Sequence, residues 1–307
     1  MCVHCVRLIP AAIALLVALQ PSAFAASPPL PIPDHTVGLD PMVFHGPQDA
    51  AWTDDGECFV LNFGSKDVVV LGPDWRELRR FGREGDGPGE LTIPRRMDVI
   101  DDQIHIRQLA SLEVFAFDGT FVRRDRLTEF GNHVLIGNVD ISLNHQRQAS
   151  TLTWSTGSDG AHTVQLPPSH VMFWEIIGPP VDDGLTLAHA VDRFDGLMYE
   201  IGHDGSVGPE RDVGLGRGIV QGGGGRPVLI TICTARDLGY WALSIPEPDG
   251  EEHLLLLSPT LEHIADWTLG DIKADQIALS PRGEFCLVSS HGSVMYVFDE
   301  PPYPGRR

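Results

Sequence analysis

An internal repeat of about 45 residues constrains this chain more than any other feature of its sequence. Pro47 opens one unit and Pro94 opens the next. Within them, Gly56-Glu57-Cys58-Phe59-Val60 lines up with Asp102-Gln103-Ile104-His105-Ile106, Val68-Val69-Val70 with Leu112-Glu113-Val114, and Asp74 with Asp118. The same text returns near the C-terminus as Ser280-Pro281-Arg282-Gly283-Glu284-Phe285-Cys286-Leu287, followed by Val294 to Phe298. Gly283 stands five such periods beyond Gly56. Four periods would each need about 57 residues and six would need about 38, so the first and last clear units are numbers one and six. Inside the units, short runs rich in Val, Ile, Phe and Tyr alternate with Asp-Gly pairs (Asp55-Gly56, Asp118-Gly119, Asp159-Gly160, Asp183-Gly184, Asp195-Gly196, Asp204-Gly205, Asp249-Gly250). Asp-Gly tolerates the positive φ of tight hairpins, so the chain is a string of antiparallel strands without long amphipathic helices. A lone four-stranded unit cannot bury both its faces, whereas six packed radially can. The expectation is an all-β, six-bladed β-propeller around a central channel.

The last unit ends soon after Phe298, and the proline-rich Asp299 to Arg307 cannot supply its outer strand. Thr36-Val37-Gly38-Leu39 is the candidate, closing the ring by pairing the N- and C-terminal strands. A β-sandwich pair or a solenoid is the competing architecture. The middle units (131–167, 185–213 and 227–269) contain hairpin text but match the repeat poorly.

The segment Phe81-Gly82-Arg83-Glu84-Gly85-Asp86-Gly87-Pro88-Gly89-Glu90-Leu91, followed by Pro94, resembles the start of an NHL repeat, F-G-x-x-G-x-G-P-G-x-(F/L)-x-x-P. Met97-Asp98-Val99, Ile104-His105-Ile106 and Leu112 to Gly119 continue that pattern. The resemblance covers about 40 residues well and two other units loosely. It implies a secreted bacterial six-bladed propeller of the NHL type, with the glycines forming a loop between blades where backbones pack closely. It says little about activity, because such propellers host many.

Arg7 is the only charged residue before Asp34; Leu8 to Leu19 follow it, then Ala23-Phe24-Ala25 before Ala26. A charged start, a short apolar run and an A-x-A site predict a signal peptide over 1–25 and a single propeller domain over 26–307, in the periplasm or secreted. Cys2 and Cys5 fall inside that peptide. No later segment is apolar and long enough to span a bilayer. With 42 acidic against 22 basic residues the formal charge is −20, which argues against nucleic acid or an anionic membrane as partner. Cys58, Cys233 and Cys286 are odd in number and sit in apolar runs, predicting buried thiols that act as small hydrophobes.

Catalytic patterns are weak. Some NHL-like propellers hold zinc through histidines on loops of successive blades; the positions that match here are Lys66, roughly Ser111, and His291. Gluconolactonase-like propellers hold calcium through Glu, Asn and Asp in the channel, for which Asp98, Asn138 and Asp140 are candidates. Gly214-Leu215-Gly216-Arg217-Gly218 and Gly222 to Gly225 precede no helix and no Gly-Lys-Ser/Thr, so they are expected to be loops. No G-x-S-x-G exists, and the adjacency of Ser289, Ser290 and His291 does not place a base on a nucleophile. Arg76, Arg79, Arg80, Arg83, Arg95 and Arg96 stand out in an acidic chain. They form ion pairs on an outer strand and loop, or Arg95, Arg96 and Arg107 approach the channel and meet an anionic ligand. The function expected is a non-catalytic binding propeller without a cofactor, holding a protein, a peptide or a small anionic ligand at one channel mouth. The alternative is a metal-dependent lactonase or lyase using calcium or zinc; a subunit of an envelope assembly is a third possibility.

Overall fold

The computed structural model describes residues 27–38, 44–53, 55–100, 102–108, 111–126, 131–136, 139–146, 149–155, 161–167, 174–180, 184–193, 196–213, 228–235, 239–245, 251–280 and 282–303, with backbone alone at 131–135, 140, 145, 146, 149, 228–230 and 245. They form six four-stranded antiparallel sheets. Blade one holds β2 (Pro47–Trp52), β3 (Cys58–Asn62), β4 (Asp67–Leu71) and β5 (Glu77–Phe81). Blade two holds β6 (Pro94–Ile100), β7 (Gln103–Gln108), β8 (Ser111–Ala116) and β9 (Phe121–Arg126). Blade three holds β10 (Gly131–Ile136), β11 (Val139–Gln146), β12 (Ala149–Ser155) and β13 (Ala161–Leu166). Blade four holds β14 (Trp174–Ile177), β15 (Thr186–Asp192), β16 (Leu197–Gly202) and β17 (Arg211–Asp212). Blade five holds β18 (Val228–Thr234), β19 (Tyr240–Ile245), β20 (His253–Leu257) and β21 (His263–Thr268). Blade six holds β22 (Gln276–Leu279), β23 (Phe285–Ser289) and β24 (Val294–Phe298), and its fourth strand is β1 (His35–Val37) from the other end of the chain.

The repeat therefore counts blades correctly, and Pro47 and Pro94 each begin a first strand as aligned. The ring closes as expected, with His35 opposite Val297, Thr36 opposite Tyr296 and Val37 opposite Met295. The closing strand is shifted slightly toward the N-terminus of the expected stretch: Gly38 already turns at φ 89°, and Leu39 lies outside the described residues. Asp34 reinforces the seal by accepting the Asp299 N–H at 2.9 Å. Just upstream, the chain also straps blade five. Thr268 N–H donates to the Pro28 carbonyl at 3.0 Å, Leu30 N–H donates to the Thr268 carbonyl at 2.8 Å, and Ser27 Oγ donates to Asp266 at 2.6 Å. The expected signal peptide and both glycine-rich stretches lie outside the described residues.

In blades one and six the second and third strands are largely apolar on both faces because each is covered by the blades on either side; β3 and β23 are buried at every position. The core is thus divided among the seams. Phe59, Met97 and Phe115 pack between blades one and two, Trp154 and Trp174 between three and four, and Met198 and Tyr240 between four and five. Trp241 and Phe285 fill the seam of blades five and six, and Val60 and Val297 that of six and one. Cys58 and Cys286 are free and fully buried in this last seam, where burial pushes both thiols well up. Cys233 is free too, but only half-buried, since it borders the channel. The Asp-Gly turns behave as anticipated where described. Gly119 sits at φ 87°, and a Cβ there would lie 2.7 Å from Phe81.

A polar ring in the channel

The first strands of all six blades surround a central cavity of about 630 Å³, a size suited to a small ligand. Each strand enters the channel at the same end, and near that end most contribute one polar side chain: Asp49, Arg96, Glu175, Thr231 and Gln276, from blades one, two, four, five and six. Pairing with the second strand is interrupted by a bulge between Pro47 and Asp49, between Pro94 and Arg96, and between Leu229 and Thr231. A bulge at this shared point twists the strand and re-aims the residue that follows it. The other end of the channel is mainly apolar, lined by Trp52, Ile100, Ile136, Ile177 and Leu279, with Thr234 the polar exception, its hydroxyl donating to the Gly178 carbonyl at 2.7 Å.

The polar groups are linked. Arg96 reaches across the channel to Glu175 at 2.6 Å, and Arg193 approaches the same carboxylate at 3.8 Å. Thr231 Oγ1 lies 3.3 Å from Glu175 and 2.9 Å from the Gln276 side-chain amide. Both partners are oxygens that accept, and the hydroxyl has one proton, so Thr231 donates to Gln276 Oε1 or to Glu175, one at a time, the Gln276 contact being the shorter. Asp49 accepts the N–H groups of Met97 and Ala50, each at 2.9 Å. Burial pushes Asp49 up to about 6, against the pull of Arg96 and those two N–H groups. Burial also pushes Cys233 up to about 12, aided by the negative charge of Glu175. Burial works against charge on Arg96 too, but Glu175, Asp49 and Asp98 together outweigh it and hold the guanidinium protonated. Arg96 nonetheless keeps 33% of its side chain open to the channel, whereas Glu175 is only 6% exposed.

The three expected binding arginines separate. Arg96 lines the channel. Arg95, its neighbour across the bulge, is exposed and is not among the residues that line it. Arg107 lies on the second strand, opposite Arg96, and is buried behind the channel wall with Asp98 at 3.0 Å. The other arginines form the anticipated ion pairs: Arg79 with Glu57 at 2.6 Å, Arg80 with Glu77 at 2.8 Å, and Arg83 with Glu90 at 2.7 Å. Of the candidate calcium set, Asp98 faces the Arg107 guanidinium, Asn138 lies outside the described residues, and only the backbone of Asp140 is described. Of the positions matching zinc ligands, Lys66 sits over the Phe63 ring at 3.4 Å, Ser111 donates to Glu113 at 2.9 Å, and His291 pairs with Asp275 at 3.4 Å in an exposed turn. Among the described residues no group of three or more His, Cys, Asp or Glu could hold a metal ion.

Asp49, Glu175, Thr231 and Gln276 escaped the sequence reading. A signal existed for one of them: laying Pro94 over Pro47 puts Arg96 over Asp49 within about one residue.

No protein-family model matches the chain, and no curated protein matches it in sequence. Solved structures do. A virginiamycin B lyase from Staphylococcus aureus superposes with a TM-score of 0.54 at 12% identity, covering 83% of this chain and 80% of that one. A calcium-binding regucalcin from Agrobacterium tumefaciens gives 0.53 at 13% identity, covering 85% and 87%. A chain of a mitotic checkpoint complex gives 0.54 at 11% identity, covering 95% and 98%. This chain is a six-bladed β-propeller. At such identities the likeness speaks of the propeller scaffold alone.

Proposed function

We propose that this propeller is a non-catalytic binding protein that holds a small anionic ligand, or the acidic side chain of a protein or peptide, at the polar mouth of its channel. The observation that carries this reading is Arg96. Its guanidinium is fixed by a bulged strand, stays one-third open to the channel, and belongs to a ring of polar groups drawn from five blades. Glu175, between Arg96 and Arg193, occupies the position a ligand carboxylate or phosphate would compete for. The apolar far end suits a ligand with a hydrocarbon portion. The apolar N-terminal stretch and its A-x-A site support export to the periplasm or medium, as part of the same reading. Among the described residues no helix is long and apolar enough to cross a membrane.

A divalent cation fits the described channel groups poorly. Asp98 and Glu175 each face a guanidinium, and Asp49 is committed to two backbone N–H groups. The test is calorimetric titration with inorganic phosphate and a panel of mono- and dicarboxylates of increasing chain length, beside thermal shift with calcium and zinc. Saturable binding of an anion, weakened at least about tenfold in Arg96→Ala, is expected. Binding that ignores Arg96, or a large stabilisation by either metal, would overturn the reading in favour of the lactonase or lyase alternative.

A further inference from the structure

Around and behind the polar mouth, the described guanidiniums of Arg96, Arg107 and Arg193 are matched by the carboxylates of Asp49, Asp98 and Glu175. A bare anion adds an uncompensated charge to this balanced, partly buried set, whereas a ligand carrying one charge of each sign adds none. Two groups of the ring suit such a ligand. Arg96 donates to Glu175 Oε1 through one amino group at 2.6 Å, and a third of its side chain still faces the channel, so the guanidinium has further N–H donors to offer. Glu175 is the opposite case. Its side chain lines the channel and is only 6% exposed, yet its Oε2 accepts no hydrogen bond. Arg193 Nε stands 3.8 Å from that oxygen, beyond hydrogen-bonding reach, and the Thr231 hydroxyl approaches Oε1 instead. A buried carboxylate oxygen without a donor costs free energy that a ligand N–H would recover.

Oε1 and Oε2 belong to one carboxylate, so the remaining donors of Arg96 and the orphaned acceptor of Glu175 stand side by side. We propose that the anionic group bound at Arg96 is one end of a zwitterion, an α-amino acid with a hydrocarbon side chain, whose ammonium donates to Glu175 Oε2 while its carboxylate accepts from Arg96. This rests on the channel reading above and narrows it to one class of ligand. Both contacts are charge-assisted hydrogen bonds, the stronger kind, formed where little water competes. An α-amino acid carries its two charges on neighbouring groups, as the adjacency of Arg96 and Glu175 requires, while an ω-amino acid carries them at opposite ends of a chain. The side chain of the ligand extends toward the mainly apolar end of the channel, at Trp52, Ile100, Ile136, Ile177 and Leu279.

Calorimetric titration of the natural protein with leucine and three analogues tests this. Isocaproate is leucine without the ammonium, isoamylamine is leucine without the carboxylate, and ε-aminocaproate has both groups but far apart. Leucine is expected to bind at least about tenfold tighter than any of the three. In Glu175→Gln, leucine is expected to lose its advantage over isocaproate. In Arg96→Ala, both acids are expected to weaken by at least about tenfold. The comparison on the natural protein needs no variant, so it decides the matter even if Glu175→Gln fails to fold. No saturable binding of leucine, or isocaproate or ε-aminocaproate binding as tightly as leucine, would overturn the zwitterion. Where those acids still depend on Arg96, that outcome leaves the channel reading standing. A leucine advantage that survives Glu175→Gln would overturn Glu175 as the partner of the ammonium. Binding of every acid unchanged by Arg96→Ala would overturn the channel reading itself.

Discussion

Asp49 shows how position in the ring changes a side chain's chemistry. Its carboxyl, ordinarily near 3.8, titrates at about 6 because it is buried at the channel wall, with Asp98 adding to the cost of its charge. Between those two values the native protein binds a proton that the unfolded chain does not, so stability falls as pH rises through the window. One pKa unit corresponds to about 1.4 kcal/mol. Asp49→Asn lacks this titration. Relative to the variant, the natural protein is expected to lose roughly 2 to 3 kcal/mol between pH 4 and pH 7 and little more above, as read by urea unfolding at several pH values. A stability difference that does not change with pH would mean that Asp49 titrates normally. Arg96 makes the complementary point, since its pairing with Glu175 and the nearby charges of Asp49 and Asp98 keep it charged at any pH where a ligand anion is charged.

At the scale of elements, the loop that resembles an NHL signature is held by groups outside the signature itself. Glu113 on β8 is fully buried and pairs with Arg124 on β9, while accepting from Ser111 at 2.9 Å and from Gln108 at 3.3 Å. Arg124 in turn donates to the carbonyls of Asp86 at 2.6 Å and Gly87 at 2.7 Å, pinning the loop from blade one onto blade two. Glu90 folds back onto the Gly87 N–H at 2.7 Å, and a Cβ at Gly87 would crowd its carboxylate at 2.8 Å. The glycines and Glu90 were legible in the sequence as a loop. The role of Glu113 was not, because it falls among strand residues that alternate in the usual way. Replacing Glu113 by Gln leaves Arg124 without its buried counter-charge. A loss of roughly 2 to 4 kcal/mol is expected in urea unfolding, with the larger part recovered in the double variant Glu113→Gln, Arg124→Met. Equal losses in the single and double variants would show that the pair is not what holds the loop.

For the whole molecule, the ring depends on three residues from the start of the chain. Val37 is buried in the cluster that joins blades six and one, directly opposite Met295. Val37→Asp puts a charge into that seam and is expected to cost more than about 3 kcal/mol. Because every blade is packed on two neighbours, the loss should lower one cooperative unfolding transition of the entire protein. A separate early transition confined to blade six, followed by far-UV circular dichroism and tryptophan fluorescence together, would contradict that coupling. The strap of residues 28–30 along β21 extends the same device to blade five, and no sequence pattern announced it, since two backbone hydrogen bonds carry no side-chain signature.

The sequence by itself determined the number of blades, the closing of the ring, and the strands and turns of blades one, two and six. These rest on local chemistry (short runs of strand-forming residues, glycine at positive φ, a repeat of fixed length) that each segment expresses wherever it stands. Only the tertiary structure decided that Asp49, Arg96, Glu175, Thr231 and Gln276 share one channel mouth. Those relations join residues as distant as Arg96 and Glu175. Their separation is set by how five apolar seams tilt and pack the blades, a property of the closed ring that no single blade possesses.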